Sequence, residues 1–318
     1  MHYDVFNGDA DGIIALLQLR LHQPKKSTLI TGVKRDISLL KRVPIKEAES
    51  VTVLDISMEK NIQALHELIA QRIPVFYVDH HRSGAIPQSE YLTELIDTDP
   101  NTCTSLLVNR YLDGQFAHWA IVAAFGDNMI TAAKQLAKIC GLSIEQQHKL
   151  KSLGIYINYN GYGRSIDDLH FSPADLFNQL LDYSEPLNLI NQTGSVYQQL
   201  EQAYLADMGQ AKSAEILADN DVCKVLLLPD KAWARRVSGV FGNELANQAP
   251  DKAHAVFTEN QDSSFLVSLR APLNNKQGAG DICSQFITGG GRAAAAGINA
   301  LPKDMVEHFI VAVSDYYQ

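Results

Sequence analysis

Short apolar runs at Tyr3–Phe6, Val51–Leu54 and Pro74–Val78 each lead straight into acidic residues, and segments with helical spacing lie between them. Ile13–Leu21 has the apolar spacing of a helix, Thr28–Val33 is a β-branched run, and Asn61–Gln71 is amphipathic. Strand-length and helix-length segments in alternation predict crossover connections and a mostly parallel sheet with helices on its faces. Such sheets collect ligands at the carboxyl ends of their strands. The predicted sheet therefore brings three segments to one edge. These are FNGDADG with Asn7, Asp9 and Asp11, VTVLDIS with Asp55, and PVFYVDHHRSG with Asp79, His80 and His81.

The rest of the chain extends this α/β plan. Asn101–Ile157 is mostly helical in pattern, and NYNGYGR at Asn158–Arg164 is a turn-rich break. Pro173–Ala206 predicts connector helices. A second, smaller α/β unit follows. Its expected strands are Val222–Leu228, Ala253–Thr258 and Phe265–Leu269, and its expected helices lie near Ser238–Ala246, at Ile282–Phe286 and from Asp304 onward. A chain of 318 residues exceeds one ordinary core, so two domains are expected, 1–190 and 191–318.

Composition narrows the partners. A net charge of −9 argues against a long nucleic acid, which needs a broad basic face, and leaves room for a short anionic substrate held locally. The four cysteines form no CxxC pair, which predicts reduced thiols and not a zinc ribbon or a disulfide scaffold. The start, MHYDVFNGDADG, has no basic or apolar leader pattern, and no apolar run is long enough to span a bilayer. A cytoplasmic protein without a membrane partner is expected.

Carboxylates crowded at one sheet edge raise one another's pKa and cost stability, and a divalent cation resolves the conflict. Mixed carboxylate and imidazole ligands suit Mn²⁺. Each residue also has a plainer reading by itself. Asp11, Asp55 and Asp127 of AAFGDNM could cap helices, and His80 or His81 could be a packed histidine. Acids at three successive strand ends, one joined to a histidine pair, favour the metal.

Taken in order, DADG, Asp55, the Asp79-His80-His81 triplet and Asp127 resemble the four motifs of the DHH phosphoesterase superfamily. DPNTCTSLLVNRYL, before the fourth motif, resembles that family too, and the likeness covers most of residues 1–140. The resemblance implies a two-metal hydrolase of phosphoester or phosphoanhydride bonds, usually dependent on Mn²⁺, with Mg²⁺ as the alternative. It implies that Asp55 bridges the metals, that Asp9 and Asp11 bind one each, and that His80 and Asp127 complete the second site. It puts His81 beside the scissile phosphate or in support of a ligand, and makes Asp79 an orienting partner of the histidines. One departure stands out. Many members carry a histidine four residues before the first Asp, where this chain has Val5. The motif instead resembles the RecJ-type GDxDxDG with Asn7 at the first acidic position. Asp9 is the firmest ligand, and Asn7 and Asp11 compete for the other place.

Near the C-terminus, Gly289, Gly290 and Gly291, then Arg292 and an alanine run, predict a tight loop feeding a small-residue helix. Such a helix N-terminus favours an anion, and Arg270 and Arg292 could add phosphate contacts. The plainer reading is close packing. With SLR and RRVSGVFGNELA, the stretch resembles the GGGH loop of the DHH-associated substrate domain, Arg292 standing in place of the histidine. That resemblance implies short nucleotide substrates: oligoribonucleotides, linear dinucleotides or 3′-phosphoadenosine 5′-phosphate. A polyphosphate or pyrophosphate hydrolase, a RecJ-like single-strand DNA exonuclease and an inactive nucleotide sensor are the alternatives. Tyr156, Tyr159, Tyr162 and Arg164 could stack on a base, but loop anchoring is the favoured role.

Overall fold

A computed structural model describes residues Met1–Gln318. It divides into two compact units, Met1–Gln202 and Ala203–Gln318. The expected boundary at residue 190 lies in the helix Pro186–Asn191, one helix before the residues where these units part.

The first unit begins β1 (His2–Phe6), α1 (Ala10–His22), β2 (Thr28–Ile30), β3 (Ser50–Leu54), α2 (Met58–Ala70), β4 (Val75–Asp79) and β5 (Leu92–Ile96). Helices α3 (Thr104–Tyr111), α4 (Ala117–Gly126), α5 (Ile130–Ile139), α6 (Ile144–Asn160), α7 (Pro173–Leu180), α8 (Pro186–Asn191) and α9 (Val196–Ala211) follow. The five strands pair in parallel in the order β2-β1-β3-β4-β5. Alternation along each strand sorts its side chains by face. Tyr3, Val5, Val51, Val53, Val75 and Tyr77 pack into a core with Leu65 and Leu68 of α2. Asp4 and Thr52 point the other way, where Arg20 of α1 meets both. Helix α1 is buried from Ala10 through Arg20, consistent with an apolar stripe broader than one face.

Three local differences from the sequence expectation have physical causes. Strand β5 has no apolar signature, because Thr93 and Glu94 are exposed on this edge strand. The Thr28–Val33 run stays in the sheet only to Ile30. The chain then turns, and the Lys34 N–H donates to Gly161 O at 2.8 Å. The NYNGYGR break begins later than expected, since α6 runs through Asn160 and is capped at Gly161. Asn160 stays buried because its Oδ1 accepts from the His170 and Phe171 N–H groups.

The second unit contains β6 (Glu215–Asp219), β7 (Cys223–Leu228), α10 (Ala232–Gln248), β8 (Ala253–Glu259), β9 (Phe265–Arg270), α11 (Ala279–Cys283), β10 (Gly289–Gly291), β11 (Ala295–Leu301) and α12 (Val306–Tyr317). Its six-stranded sheet has the order β10-β11-β9-β8-β7-β6. β7 and β8 are parallel, joined by α10, and the other pairs are antiparallel. Phe257, Val267, Ile298, Phe309 and Val313 lie in its core.

The glycine–alanine stretch departs from expectation. Gly289–Gly291 is a strand, and the alanine run enters β11, so no helix follows the glycines. Alanine favours helix by itself, but here Ala295 and Ala296 pair with Arg270 and Leu269 of β9, and tertiary pairing overrides that weak preference. Gly291 makes the hairpin possible: its φ is 148°, and a Cβ there would lie 2.5 Å from the Ala296 Cα. No helix of the structure is long and apolar enough to cross a membrane, and none of the four cysteines is in a disulfide.

Candidate metal centre

Strands β1, β3 and β4 are neighbours, so the segments following them meet at one sheet edge. The Asn7 N–H donates to Leu54 O at 3.2 Å, and the Asp55 N–H to Val78 O at 3.1 Å, which continues the parallel register past the strand ends. Asp55 then leaves β3 with a φ of +58°, in the left-handed region. That conformation is uncommon outside glycine, although Asp and Asn tolerate it best, and it turns the carboxylate inward.

Asp55, His80 and His81 form a compact donor set, one ligand atom from each lying within 4.8 Å of the others. His80 Nε2 is 3.3 Å from Asp55 Oδ1 and 3.8 Å from Asp11 Oδ2. Donors that share a cation at about 2.1 Å are roughly 3 to 3.5 Å apart, so the His80–Asp55 pair has the spacing of two ligands of one divalent ion, and Asp11 stands a little beyond it. The surroundings orient these donors. His80 Nδ1 donates to Thr102 O at 2.9 Å, which leaves Nε2 as the ring nitrogen facing Asp55 and Asp11. Thr104 Oγ1 donates to Asp55 Oδ1 at 3.0 Å. Asp11 Oδ2 and Oδ1 accept the Thr104 and Ser105 N–H groups, each at 2.8 Å, at the N-terminus of α3. Burial and then the charges of Asp11 and Asp9 push the Asp55 carboxyl well above the usual carboxylate range. A bound cation would reverse that cost.

His81 Nδ1 lies 2.7 Å from Asp79 Oδ1. Asp79 is fully buried, and its other oxygen, Oδ2, has no hydrogen-bond partner. The His81 side chain is 31% exposed, so the ring bridges the buried Asp79 and the outside of the site.

The remaining first-unit residues fall at the other end of the cluster. Asp9 is the N-cap of α1. Its Oδ1 accepts from the Asp11 and Gly12 N–H groups, and its Oδ2 is 2.6 Å from Lys34 Nζ. Asp127 follows α4, with Oδ1 3.6 Å from the same ammonium. Burial raises the Asp9 carboxyl, but the Lys34 charge together with hydrogen bonds from Lys34 and Gly12 leaves it below its ordinary value. For Lys34, burial opposes the charge, and the charges of Asp9, Tyr162 and Asp127 with the Asp9 hydrogen bond together more than offset it. Asn7 closes the loop locally: its Oδ1 accepts the Asp9 N–H and its Nδ2 donates to Lys34 O.

Lys34, Thr102, Thr104 and Asn158 escaped the sequence reading. Thr102 and Thr104 sit inside DPNTCTSLLVNRYL, which carried a signal as a block without singling them out. Lys34 and Asn158 meet only through the fold. Tyr156, Tyr159 and Tyr162 are buried. Tyr159 Oη pairs with His170 Nε2, and Tyr156 Oη donates to Glu201, as expected of anchors.

In the second unit, Arg270 donates from all three of its guanidinium nitrogens, to Asn243 Oδ1, Leu269 O and Gly239 O. It ties β9 to α10. Arg292 is exposed in the turn between β10 and β11, where its N–H donates to Ala295 O.

With its parallel sheet, acidic carboxyl edge and second mixed sheet, the chain shares the fold of solved DHH-domain proteins. Among solved structures it is similar to the DHH domain of a member of the s1p family of ribosomal proteins, with 12% identity and a TM-score of 0.65 over 99% of this chain and 86% of that one. It is similar to the exonuclease RecJ bound to manganese, with 16% identity and a TM-score of 0.61 over 99% of this chain and 89% of RecJ. The pGpG-specific phosphodiesterase PggH from Vibrio cholerae is 12% identical, with a TM-score of 0.53 over 99% and 97% of the two chains. No family model matches the sequence, and no curated protein matches it.

Proposed function

We propose that the chain is a cytoplasmic, metal-dependent phosphoesterase acting on phosphodiester or phosphomonoester bonds of short nucleotides. The observation that carries this reading is His80 Nε2 standing 3.3 Å from Asp55 Oδ1 and 3.8 Å from Asp11 Oδ2 on the carboxyl edge of a DHH-type sheet. Two neighbours of the fold support the reaction class by their names, an exonuclease bound to manganese and a pGpG-specific phosphodiesterase. The net charge of −9 supports a short substrate over a long strand.

Asp11, Asp55 and His80 would hold a divalent ion, Mn²⁺ in this reading. Such an ion supplies a water of lowered pKa and polarises a phosphoryl oxygen. Thr104 fixes the Asp55 carboxylate and Thr102 O fixes the His80 tautomer, so the donors are oriented before binding. Asp79 accepts from His81 Nδ1 and so turns Nε2 away from itself, toward the accessible side. From there His81 can donate to a phosphoryl oxygen or pass a proton to the leaving oxygen.

In the second unit we assign substrate contact to Arg292 and the adjacent Gly289–Gly291 strand, with Arg270 as support, since Arg270 is already held by three acceptors. One charge-assisted hydrogen bond contributes about 1.5 to 3 kcal/mol. Arg292→Ala is therefore expected to raise KM about tenfold or more and leave kcat within a factor of two or three. An unchanged KM removes Arg292 from substrate binding.

The deciding experiment is Mn²⁺-supported turnover of a panel: a 5′-phosphorylated RNA dinucleotide, a longer RNA, single-stranded DNA, 3′-phosphoadenosine 5′-phosphate and polyphosphate. Preferential hydrolysis of the dinucleotide or 3′-phosphoadenosine 5′-phosphate is expected. Preference for polyphosphate or for long single-stranded DNA would overturn the substrate class. A second reading, a nucleotide sensor without turnover, is favoured by Asn7 at the first acidic position, where its amide closes the loop onto Asp9. Metal and nucleotide binding with no hydrolysis of any panel member would establish that reading instead.

A further inference from the structure

The acidic cluster has two ends of different character. At one, His80 Nε2 stands 3.3 Å from Asp55 Oδ1 and 3.8 Å from Asp11 Oδ2. At the other, the side chain of Lys34 already stands among the acceptors. Its Nζ is 2.6 Å from Asp9 Oδ2, 3.1 Å from Asn158 Oδ1 and 3.6 Å from Asp127 Oδ1, and 5.4 Å from the centre of the Tyr162 ring. Two carboxylates, an amide oxygen and a π-face make a complete shell for an ammonium.

This shell is built into the backbone. The Lys34 N–H donates to Gly161 O at 2.8 Å, and Lys34 O accepts from Asn7 Nδ2 at 3.2 Å. Gly8 and Gly32 let the two loops close on each other, for a Cβ on Gly8 would lie 1.8 Å from Gly32 O. Lys34 thus enters the cluster from a loop bonded on both sides. Asp9 is engaged at both oxygens, Oδ1 by the N–H groups of α1 and Oδ2 by the ammonium. A divalent ion bonded to Asp9 Oδ2 and Asp127 Oδ1 would need the space and the lone pairs that Nζ already takes, beside a like charge.

Building on the phosphoesterase reading above, we infer that Lys34 is a resident cation occupying the position of a second metal ion. The site then takes one divalent ion, at Asp11, Asp55 and His80, where the sequence motifs imply two.

The test is metal stoichiometry on the full chain, by elemental analysis after Mn²⁺ loading and gel filtration, with the Mn²⁺ electron paramagnetic resonance spectrum recorded in parallel. The wild-type chain is expected to hold one Mn²⁺ with an uncoupled spectrum. Lys34→Met, which keeps length and removes the charge, is expected to hold two, and their proximity should give a spin-coupled signal. Lys34→Arg is expected to hold one, which separates the effect of charge from damage to the loop, and circular dichroism on each variant reports folding. Two ions in the wild type would overturn the inference and leave the phosphoesterase reading standing. One ion in a folded Lys34→Met would also overturn it, since Lys34 would not be what excludes the second. No ion in the wild type would overturn both.

Discussion

Asp55→Asn is expected to lower metal-dependent hydrolysis by about a thousandfold or more, and to leave the metal-free chain at least as stable as the wild type. The two effects have one cause. Asp55 is 2% exposed, and burial together with the Asp11 and Asp9 charges raises its carboxyl well above the ordinary range. A cation held by that carboxylate contributes several kcal/mol of charge stabilisation, and each 1.36 kcal/mol is a factor of ten in rate. Asparagine keeps the shape, tolerates the φ of +58° and can still accept from Thr104 Oγ1, so the fold has no steric reason to fail. The folded chain holds the Asp55 proton more tightly than the unfolded chain does. Metal-free stability therefore falls as pH rises above about 4 and through the raised folded value. Asp55→Asn removes that fall. Thermal unfolding in a chelator from pH 4 to 8 measures the stability, and Mn²⁺-dependent turnover measures the rate. Activity within tenfold of wild type would remove Asp55 from the chemistry, and a loss of chelated stability would contradict the electrostatic account.

Asp4→Asn, in the middle of β1, is expected to destabilise the first unit by about 3 to 5 kcal/mol, the cost of leaving one partner of a buried ion pair. Asp4 is wholly buried and Arg20 is 7% exposed. Arg20 Nε donates to Asp4 Oδ2 at 2.9 Å, Arg20 Nη2 donates to Oδ1, and Ser27 Oγ donates to Oδ2 at 2.6 Å. Burial by itself would raise the Asp4 carboxyl, but hydrogen bonds from His2 and Arg20 and the Arg20 charge hold it down to about 2. Because the folded value is depressed, this stability is fully present above about 4 and is lost as pH falls from there toward 2. The variant should therefore show a lower urea midpoint at neutral pH and a flatter loss of stability on acidification. A change under about 1 kcal/mol, or an unaltered acid limb, would show that Arg20 finds another partner.

These two aspartates, Asp4 within β1 and Asp55 just after the neighbouring β3, show where the sequence is legible and where it is not. Asp55 and the Asp79-His80-His81 triplet could be placed at strand ends because a parallel strand buried on both faces reads as an apolar run, and its end is marked by the first charge. Asp4 could not be assigned, because an acid inside such a run has no meaning until Arg20 is known to face it. The glycine–alanine stretch failed for a related reason. Local preference favoured helix after Gly291, and pairing with β9 decided for strand. Strand β5 was missed because an edge strand needs only a half-buried pattern.

The sequence by itself determined the α/β order of the first unit and its acid-bearing carboxyl edge. These follow from the two-residue and 3.6-residue periods, which are local properties of the chain. Only the tertiary structure decided what Asp9 and Asp127 face. Lys34 is 25 residues from Asp9 and 124 from Asn158, and it reaches both through a loop closed by glycine contacts and a backbone bond to Gly161. A lysine has no periodic signature, and the charge that neutralises a buried carboxylate can come from anywhere along the chain.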